Sequence, residues 1–258
     1  MKNVKFQDST INLITCVDSK YKYTAKKLIK VANKKNIFDS TKIYYKKDLD
    51  SKFVNEFKNI LNLKKGSGYY IWKPFVINQE LQKIREGDFL LYLDAGCTFN
   101  NDGLERFYEY LEIIKDSESG IISFVLKEPE CFWTNRAAFE YFGKMPESDK
   151  SGQIHASVLF MQKTKVLLKQ VNLWLRTLHE NPLLFTDHFS GDEIKGFCAH
   201  KYDQSIFSLI RKQFNPCLIK DETYFEEFNC DISLKYPFWA TRHADNRLSF
   251  FKYYLNLK

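Results

Sequence analysis

The sequence predicts an α/β fold in which a mixed, mostly parallel sheet is flanked by helices. In the first half of the chain, short apolar runs typical of buried strands alternate with segments of helical periodicity. This β-α-β-α order favours parallel strands joined by helical crossovers. The run FLLYL at 89–93 is apolar throughout and ends at turn residues, as expected of a strand buried on both faces.

Each element of the first half has its own sequence signal. INLITCV at 11–17 and KIYY at 42–45 are the first two predicted strands. Two helices are predicted from apolar residues at helical spacing, namely Ala25, Leu28, Ile29 and Ala32, and then Phe53, Phe57, Ile60 and Leu61. The stretch Gly66-Ser67-Gly68 predicts a loop. Pro74 suits the first turn of a helix that continues over 75–84.

The second half of the chain continues the alternation. Residues 121–126 and 156–161 are predicted strands, and 166–179 and 204–211 are predicted helices. No repeat, low-complexity segment or linker interrupts the sequence, so residues 1–258 are expected to form a single domain.

Composition excludes several classes of protein. Of the 258 residues, 44% are hydrophobic and 28% are charged, which favours a folded globule over a disordered chain. No apolar run is long enough to span a bilayer, and the polar residues of the N-terminal segment argue against a signal peptide. The six cysteines are widely spaced without a C-x-x-C pair, so a zinc site is not suggested. A cytoplasmic protein fits these features.

The net charge of +7 favours anionic ligands, such as a nucleoside diphosphate, a nucleic acid or an anionic membrane surface. The lysines of the N-terminal third are scattered rather than clustered, which is typical of a solvated surface. A nucleic-acid-binding module would need clustered basic residues with exposed aromatics, so no nucleic-acid partner is expected.

Asp94 is the first candidate site residue, because it ends the strand predicted at 89–93. Ligands of open α/β sheets bind outside the carboxyl ends of the strands. A carboxylate at this place can hold Mg²⁺ or Mn²⁺ against a diphosphate. Ala95 and Gly96 are small enough to let a ligand approach the backbone. The alternative is that Asp94 only caps a turn.

A longer pattern surrounds Asp94. GSGYYIWKP at 66–74, upstream of FLLYLDAG, resembles the G-x-G-Y-W-x-W-K-P stretch of bacterial surface-polysaccharide glycosyltransferases. The resemblance covers 66–100 well, and it is weaker but in the same order at 153–161 and 200–208. It implies a nucleotide-sugar-using transferase of the Rossmann-like GT-A type. The nucleotide-sugar-binding part would lie at about 1–125 and the acceptor side at about 126–258.

The resemblance also implies roles for individual residues. Donor binding would involve Thr15, Lys73, Asp94, Ala95, Gly96, Arg242 and His243. Acceptor binding would involve Trp72 and His155. Asp203, within the D-Q-S segment, would accept the acceptor proton in an inverting enzyme or contact the donor sugar in a retaining one. A divalent metal, Mn²⁺ or Mg²⁺, would be held by Asp94 and His243.

Purely structural roles remain open for several of these residues. They are a solvated helix-start lysine for Lys73, a core position for Trp72, a buried backbone-bonded hydroxyl for Thr15, a structural histidine for His155 and a helix N-cap for Asp203. The metal is open too, because Gly96 replaces the second acid of the family's D-x-D pattern. In one alternative, substrate phosphates and either His243 or Asp245 supply the other ligands of the metal. In the other alternative no metal binds, and Lys73 and Arg242 neutralise the charge of the phosphates.

The expected substrates are a nucleoside diphosphate sugar and a hydroxyl of a surface glycan, of capsule or lipooligosaccharide type. The acceptor would be a glycan or a lipid-linked glycan, and residues 248–258, rich in aromatics and lysine, would either touch the inner face of the membrane or pack on the core. The alternative enzyme is a sugar nucleotidyltransferase, which usually has a glycine-rich loop after its first strand. CVDSK at 16–20 contains no glycine.

Overall fold

The computed structural model describes residues 6, 8–17, 19–146, 149–188 and 192–242 of the chain. Its central sheet is formed by strands β1 (Ile11–Val17), β2 (Ser40–Tyr45), β3 (Phe89–Leu93) and β7 (Val158–Gln162). Their order across the sheet is β2-β1-β3-β7. β1 is parallel to β2 and β3, and β7 is antiparallel to β3. The expected mixed, mostly parallel sheet is confirmed.

The central sheet is buried on both faces, which explains the unbroken apolar character of β1 and β3. Successive side chains of a strand point to opposite faces of the sheet. Ile14, Leu90 and Tyr92 belong to one hydrophobic cluster, whereas their neighbours Leu13 and Leu91 belong to another.

Helices form a layer on each face of this sheet. Their bounds are α1 (Lys22–Ala32), α2 (Ser51–Glu56), α3 (Lys58–Leu61), α4 (Gly66–Tyr69), α5 (Trp72–Leu81), α6 (Leu104–Lys115), α7 (Glu130–Trp133), α8 (Arg136–Tyr141), α9 (Lys165–Glu180) and α10 (Asp203–Arg211). Apolar residues of α5, α9 and α10 pack on the Tyr92 face, and those of α1 and α6 pack on the Leu91 face. Trp174 of α9 stacks on Phe207 of α10 with ring centroids 4.0 Å apart, which fixes these two helices beside each other.

A second sheet extends the fold on the side of β7. It contains β5 (Ile122–Pro129), β6 (Gly152–Ile154) and β8 (Cys217–Lys220), with β5 in the middle, and a bridge between Ile121 and Met161 connects it to β7. Two short strands, β4 (Thr98–Phe99) and β9 (Phe238–Trp239), pair antiparallel beyond the end of β3. The N–H of Asp94 donates to the carbonyl of Ser157, and the hydroxyl of Thr241 donates to the carbonyl of Gly96. The chain segments that follow β3, β6 and β9 therefore lie at the same end of the molecule.

The elements predicted from the sequence are present, with shifted ends. The strand predicted at 42–45 begins at Ser40, and the helix predicted at 204–211 begins at Asp203. Helices α6, α7 and α8 and the strands β4, β6, β8 and β9 were not predicted. Within the described ranges, no helix is both long and apolar enough to cross a membrane. The division of the chain at about residue 125 stays a prediction, as does the single domain.

Candidate functional site

Three charged side chains meet at the carboxyl end of β3. Lys73 of α5 places Nζ 3.1 Å from Oδ1 of Asp94 and 2.6 Å from Oδ2 of Asp203. The same ammonium group donates a hydrogen bond of 3.2 Å to the carbonyl oxygen of Ala156. The sequence pattern singled out all three charged residues. The structure brings them together from positions 73, 94 and 203 as one group, named here the Lys73 triad.

Burial and charge set the protonation states of the Lys73 triad. Lys73 is 2% exposed, and burial alone would lower the pKa of its ammonium group. The two carboxylates outweigh that effect and raise the pKa above the ordinary value, so Lys73 is charged. Burial raises the pKa of Asp203 to about 6, with Asp94 adding to the shift and Lys73 opposing it. Asp203 is therefore a carboxylate that titrates close to neutrality.

Asp94 differs from Asp203 in being partly open to solvent, with 28% of its side chain exposed. Its Oδ1 accepts a hydrogen bond of 2.7 Å from the hydroxyl of Tyr92, in addition to the contact with Lys73. Its backbone N–H donates to the carbonyl of Ser157, which ties the end of β3 to the start of β7. Asp94 is thus the member of the triad that faces an incoming ligand.

The turn before α5 explains how a lysine becomes buried. Ser67, Tyr69 and Tyr70 all have positive φ values, of 49°, 55° and 61°, so α4 is a tight turn rather than a regular helix. A Cβ on Gly66 would lie 2.5 Å from the ring of Tyr70, and one on Gly68 would lie 2.6 Å from Cα of Leu61. Position 68 requires glycine, because its φ is +94° and its neighbours are backbone atoms, whereas the atoms that crowd position 66 belong to a side chain. The G-S-G-Y-Y sequence therefore reverses the chain and directs Lys73 inward.

The start of α10 places Asp203. Tyr202 has a positive φ of 54° and occupies the N-cap, so Asp203 is the first helical residue. Its carboxylate turns inward to Lys73, and the structure shows no side-chain hydrogen bond capping α10. The N-cap role considered from the sequence is therefore wrong. Oδ2 of Asp203 lies 2.6 Å from the Lys73 ammonium and has no other partner among the described residues.

A network of buried polar side chains connects the segment around Ala156 with helix α10. Gln204 donates a hydrogen bond of 2.5 Å to Gln153, and its own amide oxygen accepts from the backbone N–H of Ala156. Gln153 donates to the carboxylate of Glu130 at 3.0 Å, and Lys212 forms an ion pair with Glu130 at 2.8 Å. The segment that contains Ala156 is thereby fixed to the first turn of α10. This is a physical reason for the D-Q-S sequence.

The remaining predicted donor residues lie in different settings. Thr15 of β1 is fully buried, and its hydroxyl has no hydrogen-bond partner among the described residues. Ala95 and Gly96 form the turn after Asp94, and the carbonyl of Gly96 accepts a hydrogen bond of 2.8 Å from Thr241. Arg242 is exposed, with its guanidinium 5.9 Å from the ring centre of Tyr224. His243 and residues 248–258 lie outside the described residues.

The predicted acceptor residues are mostly buried. Trp72 is 8% exposed and belongs to the main hydrophobic cluster. His155 is 3% exposed, and burial lowers its pKa to about 4, so its ring is neutral. His155 directly precedes Ala156, whose carbonyl oxygen accepts a hydrogen bond from Lys73, so it lies beside the triad. A direct contact of Trp72 or His155 with an acceptor stays a prediction.

Three residues of this region were not predicted from the sequence as site residues. Tyr70 is 37% exposed, and Nζ of Lys73 lies 5.5 Å from the centre of its ring. Burial and the two carboxylates raise the pKa of Tyr70 to about 12, so its hydroxyl is neutral. Tyr92 lies in the predicted apolar strand, and its hydroxyl is the one polar side-chain group in that run. This polar group was the sequence signal that could have marked Tyr92 as a site residue. Asp187, described below, had no signal in the sequence.

The described residues fit a divalent metal only in part. Tyr92 and Lys73 occupy Oδ1 of Asp94, which leaves Oδ2 as a hard oxygen ligand. No group of three or more His, Cys, Asp or Glu side chains within the described ranges could hold a metal ion. Mg²⁺ commonly takes one or two protein carboxylates, with waters and phosphate oxygens as its other ligands. Asp94 therefore fits a metal that binds together with a diphosphate.

Metal dependence follows as a prediction from this one-carboxylate arrangement. We expect activity to be lost in excess EDTA and to return with Mn²⁺ or Mg²⁺. We also expect metal binding to be weak without nucleotide, because Asp94 alone offers too few ligands. Calorimetric titration of Mn²⁺ with and without a nucleoside diphosphate measures this. Full activity of metal-free protein would contradict the prediction and assign the phosphate charge to Lys73 and Arg242.

Comparisons with known proteins give a fold but no family. No protein-family model matches the chain, and no curated protein matches it either. Among solved structures, a glycosyltransferase involved in the glycosylation of the major capsid of PBCV-1 is similar at 12% identity. The match covers 95% of this chain and 99% of that chain with a TM-score of 0.52. The chain therefore shares the GT-A-type fold of a glycosyltransferase, as expected.

Two further solved structures are similar at lower scores. Mouse xyloside xylosyltransferase 1 in its apo form has 9% identity and a TM-score of 0.43, covering 83% of this chain and 84% of that one. The galactosyltransferase LgtC in complex with donor and acceptor sugar analogs has 11% identity and a TM-score of 0.44. That match covers 82% of this chain and 74% of LgtC.

Proposed function

We propose that this protein is a glycosyltransferase that moves a sugar from a nucleoside diphosphate sugar to a hydroxyl of a glycan. One observation carries the proposal: in a fold shared with a glycosyltransferase, Lys73 bridges Asp94 and Asp203 at the carboxyl edge of the sheet. Ligands of such sheets bind at this edge. A surface glycan of capsule or lipooligosaccharide type, built on the cytoplasmic side of the membrane, is the proposed acceptor.

The proposed reaction assigns Asp203 as the general base. The acceptor hydroxyl oxygen forms a bond to the anomeric carbon of the donor sugar, and the bond from that carbon to the diphosphate oxygen breaks. The hydroxyl proton moves to the carboxylate of Asp203, and the nucleoside diphosphate leaves with the bonding electron pair. A carboxylate with a pKa of about 6 is suited to this step, because it is ionised at neutral pH but still basic enough to accept a proton.

Lys73 and Asp94 prepare the site for this step. The ammonium of Lys73 fixes both carboxylates and keeps Asp203 ionised in a buried position. Asp94 presents its free oxygen toward the ligand side, where a divalent metal, when bound, would offset charge on the leaving diphosphate. Arg242 adds an exposed positive charge at the same end of the molecule, suited to the phosphates.

A panel of nucleotide sugars tests the proposed function without knowledge of the acceptor. Transferases hydrolyse their own donor slowly, so release of UDP or GDP from one member of a panel of UDP- and GDP-sugars is the expected result. Incubation of that donor with candidate glycans and mass spectrometry then identifies the acceptor. A sugar nucleotidyltransferase would instead release pyrophosphate from a nucleoside triphosphate and a sugar phosphate. No turnover of any member would contradict the proposal.

Replacement of Asp94 by asparagine is expected to abolish donor hydrolysis and transfer while the fold is retained. Asparagine has the same shape but lacks the charge that pairs with Lys73 and faces the ligand. Asp88→Asn is the matched control, since Asp88 is a buried carboxylate at the opposite end of β3, paired with Arg85. Activity and thermal unfolding of the two variants are compared. Wild-type turnover in folded Asp94→Asn protein would rule out this assignment.

A further inference from the structure

A cluster of four side chains lies on the surface next to the Lys73 triad. The carboxylate of Asp187 accepts hydrogen bonds from Nζ of Lys65 at 3.0 and 3.2 Å, from the hydroxyl of Tyr69 at 2.8 Å and from the hydroxyl of Tyr202 at 2.9 Å. The rings of Tyr69 and Tyr202 meet edge to face with centroids 4.9 Å apart. Lys65, Tyr69, Asp187 and Tyr202 are named here the Asp187 cluster.

The Asp187 cluster joins the two chain segments that carry the reactive charges. Lys65 and Tyr69 flank the turn that leads into Lys73, and Tyr202 directly precedes Asp203. Both segments have unfavourable backbone conformations, because Tyr69 and Tyr202 have positive φ values of 55° and 54° without being glycine. Such conformations persist only where surrounding contacts hold them. The hydroxyl groups of both tyrosines end on the same carboxylate, which supplies those contacts.

We propose that Asp187 is a positioning residue that holds the turn before Lys73 and the start of α10 together, so that Lys73 and Asp203 meet. The proposal rests on the proposed transferase function for its effect on rate, but not for its effect on structure. Asp187 acts through Tyr69 and Tyr202 and does not itself contact the substrate. Its four hydrogen bonds occupy both carboxylate oxygens, which leaves little capacity for a sugar hydroxyl.

Lys65 and Asp187 form an ion pair in which 54% and 41% of the side chains are exposed. Such exposure alone predicts a small contribution of the pair to stability. Isolated surface ion pairs contribute little to stability. The Asp187 cluster differs because one carboxylate gathers three donors from two distant segments. Loss of this carboxylate therefore removes the hydrogen bonds of two tyrosine hydroxyls in addition to one ion pair. Within the cluster, the hydrogen bond to Asp187 holds the backbone of Tyr202 at its positive φ. The conformation of Tyr202 in turn directs the side chain of Asp203 toward Lys73.

The first test is structural and does not need activity. Crystal structures of wild type and of Asp187→Ala are compared at the Lys73 Nζ to Asp203 Oδ2 contact, which is 2.6 Å here. We expect this contact to break in Asp187→Ala and Tyr202 to leave its positive φ. Glu180→Ala is the matched control, because Glu180 is also an exposed carboxylate that accepts from a tyrosine, Tyr141, and pairs with an arginine. An unchanged contact and an unchanged Tyr202 in Asp187→Ala would overturn the proposal.

The second test is kinetic and uses the donor and acceptor found by the panel. A positioning residue changes the rate of the bound complex, so kcat of Asp187→Ala should fall about 10-fold or more with KM for both substrates nearly unchanged. Tyr202→Phe, which removes one hydroxyl, should lower kcat in the same direction even if Asp187→Ala unfolds. Increased KM with unchanged kcat would overturn the proposal, because it would place Asp187 in contact with substrate. If wild type turns over no nucleotide sugar, the proposed function fails, and the crystal structures still decide the role of Asp187.

Discussion

Replacement of Lys73 by methionine is expected to destabilise the protein by about 3–5 kcal/mol, since removing one partner of a buried ion pair leaves uncompensated charge. Methionine keeps the length of the side chain but removes the ammonium that contacts Asp94 and Asp203. Transfer should also be lost, because removal of the lysine charge raises the pKa of Asp203 further and leaves less of the carboxylate free to act as a base at neutral pH. Chemical denaturation and the donor-hydrolysis assay measure the two effects on the same sample.

The loss of stability in Lys73→Met should depend on pH in a definite direction. The pKa of Asp203 is already raised from 3.8 to about 6, and removal of the positive charge raises it further. A carboxyl group whose pKa is higher in the folded chain stabilises the fold while protonated, and this contribution declines as the pH rises through the folded pKa. In Lys73→Met the decline extends above pH 6. The deficit in unfolding free energy relative to wild type should therefore be smaller at pH 5 than at pH 8.

A lysine on the solvent side serves as the control for this variant. Lys83 pairs with Glu80 and has 45% of its side chain exposed, so Lys83→Met should cost less than about 1 kcal/mol. Transfer should be unchanged in that variant. If Lys73→Met unfolds at the same denaturant concentration as Lys83→Met at pH 8, the two carboxylates do not depend on Lys73.

The fold could be predicted where a single segment carries its own signal. FLLYL at 89–93 was predicted with its observed bounds, because a strand buried on both faces must be apolar at every position. Helix α6 was missed although Phe107, Tyr110, Leu111 and Ile114 are buried at helical spacing, a signal that was present in the sequence. Strands β4 and β9 have two residues each, and so short a strand has no periodicity to detect.

The site could be predicted as a set of residues but not as an arrangement. Lys73, Asp94 and Asp203 each stood in a recognisable stretch, yet their contact depends on pairing between segments far apart in sequence. The solvated-lysine interpretation of Lys73 does not hold, because its ammonium has partners at positions 94, 156 and 203 that no local pattern contains. The backbone of Tyr202 is a similar case. A tyrosine with positive φ has no sequence signal, since glycine or asparagine would be expected there.

Replacement of Asp203 by asparagine is expected to slow transfer by a factor of about 100 or more, the usual contribution of a general base. Asparagine retains the shape of the side chain but cannot accept a proton. Stability should change less than in Lys73→Met, because Lys73 keeps its contacts with Asp94 and the carbonyl of Ala156. Unchanged kcat in folded Asp203→Asn protein would exclude Asp203 as the base and favour a contact with the donor sugar.

The pH profile separates a base from a structural carboxylate. Activity of wild type should fall as the pH decreases through about 6, because Asp203 then takes up the proton that it must be free to accept. The charged and titratable groups that act with Asp203 are Lys73, Asp94, Tyr70, Tyr92 and Arg211. The two buried histidines of the region, His155 and His200, have pKa values lowered to about 4 by burial, so neither produces a transition near pH 6. The residual activity of Asp203→Asn should therefore lack this transition. If its profile still falls through pH 6, another group is the base, and the titration of Asp203 reflects only its burial beside Lys73.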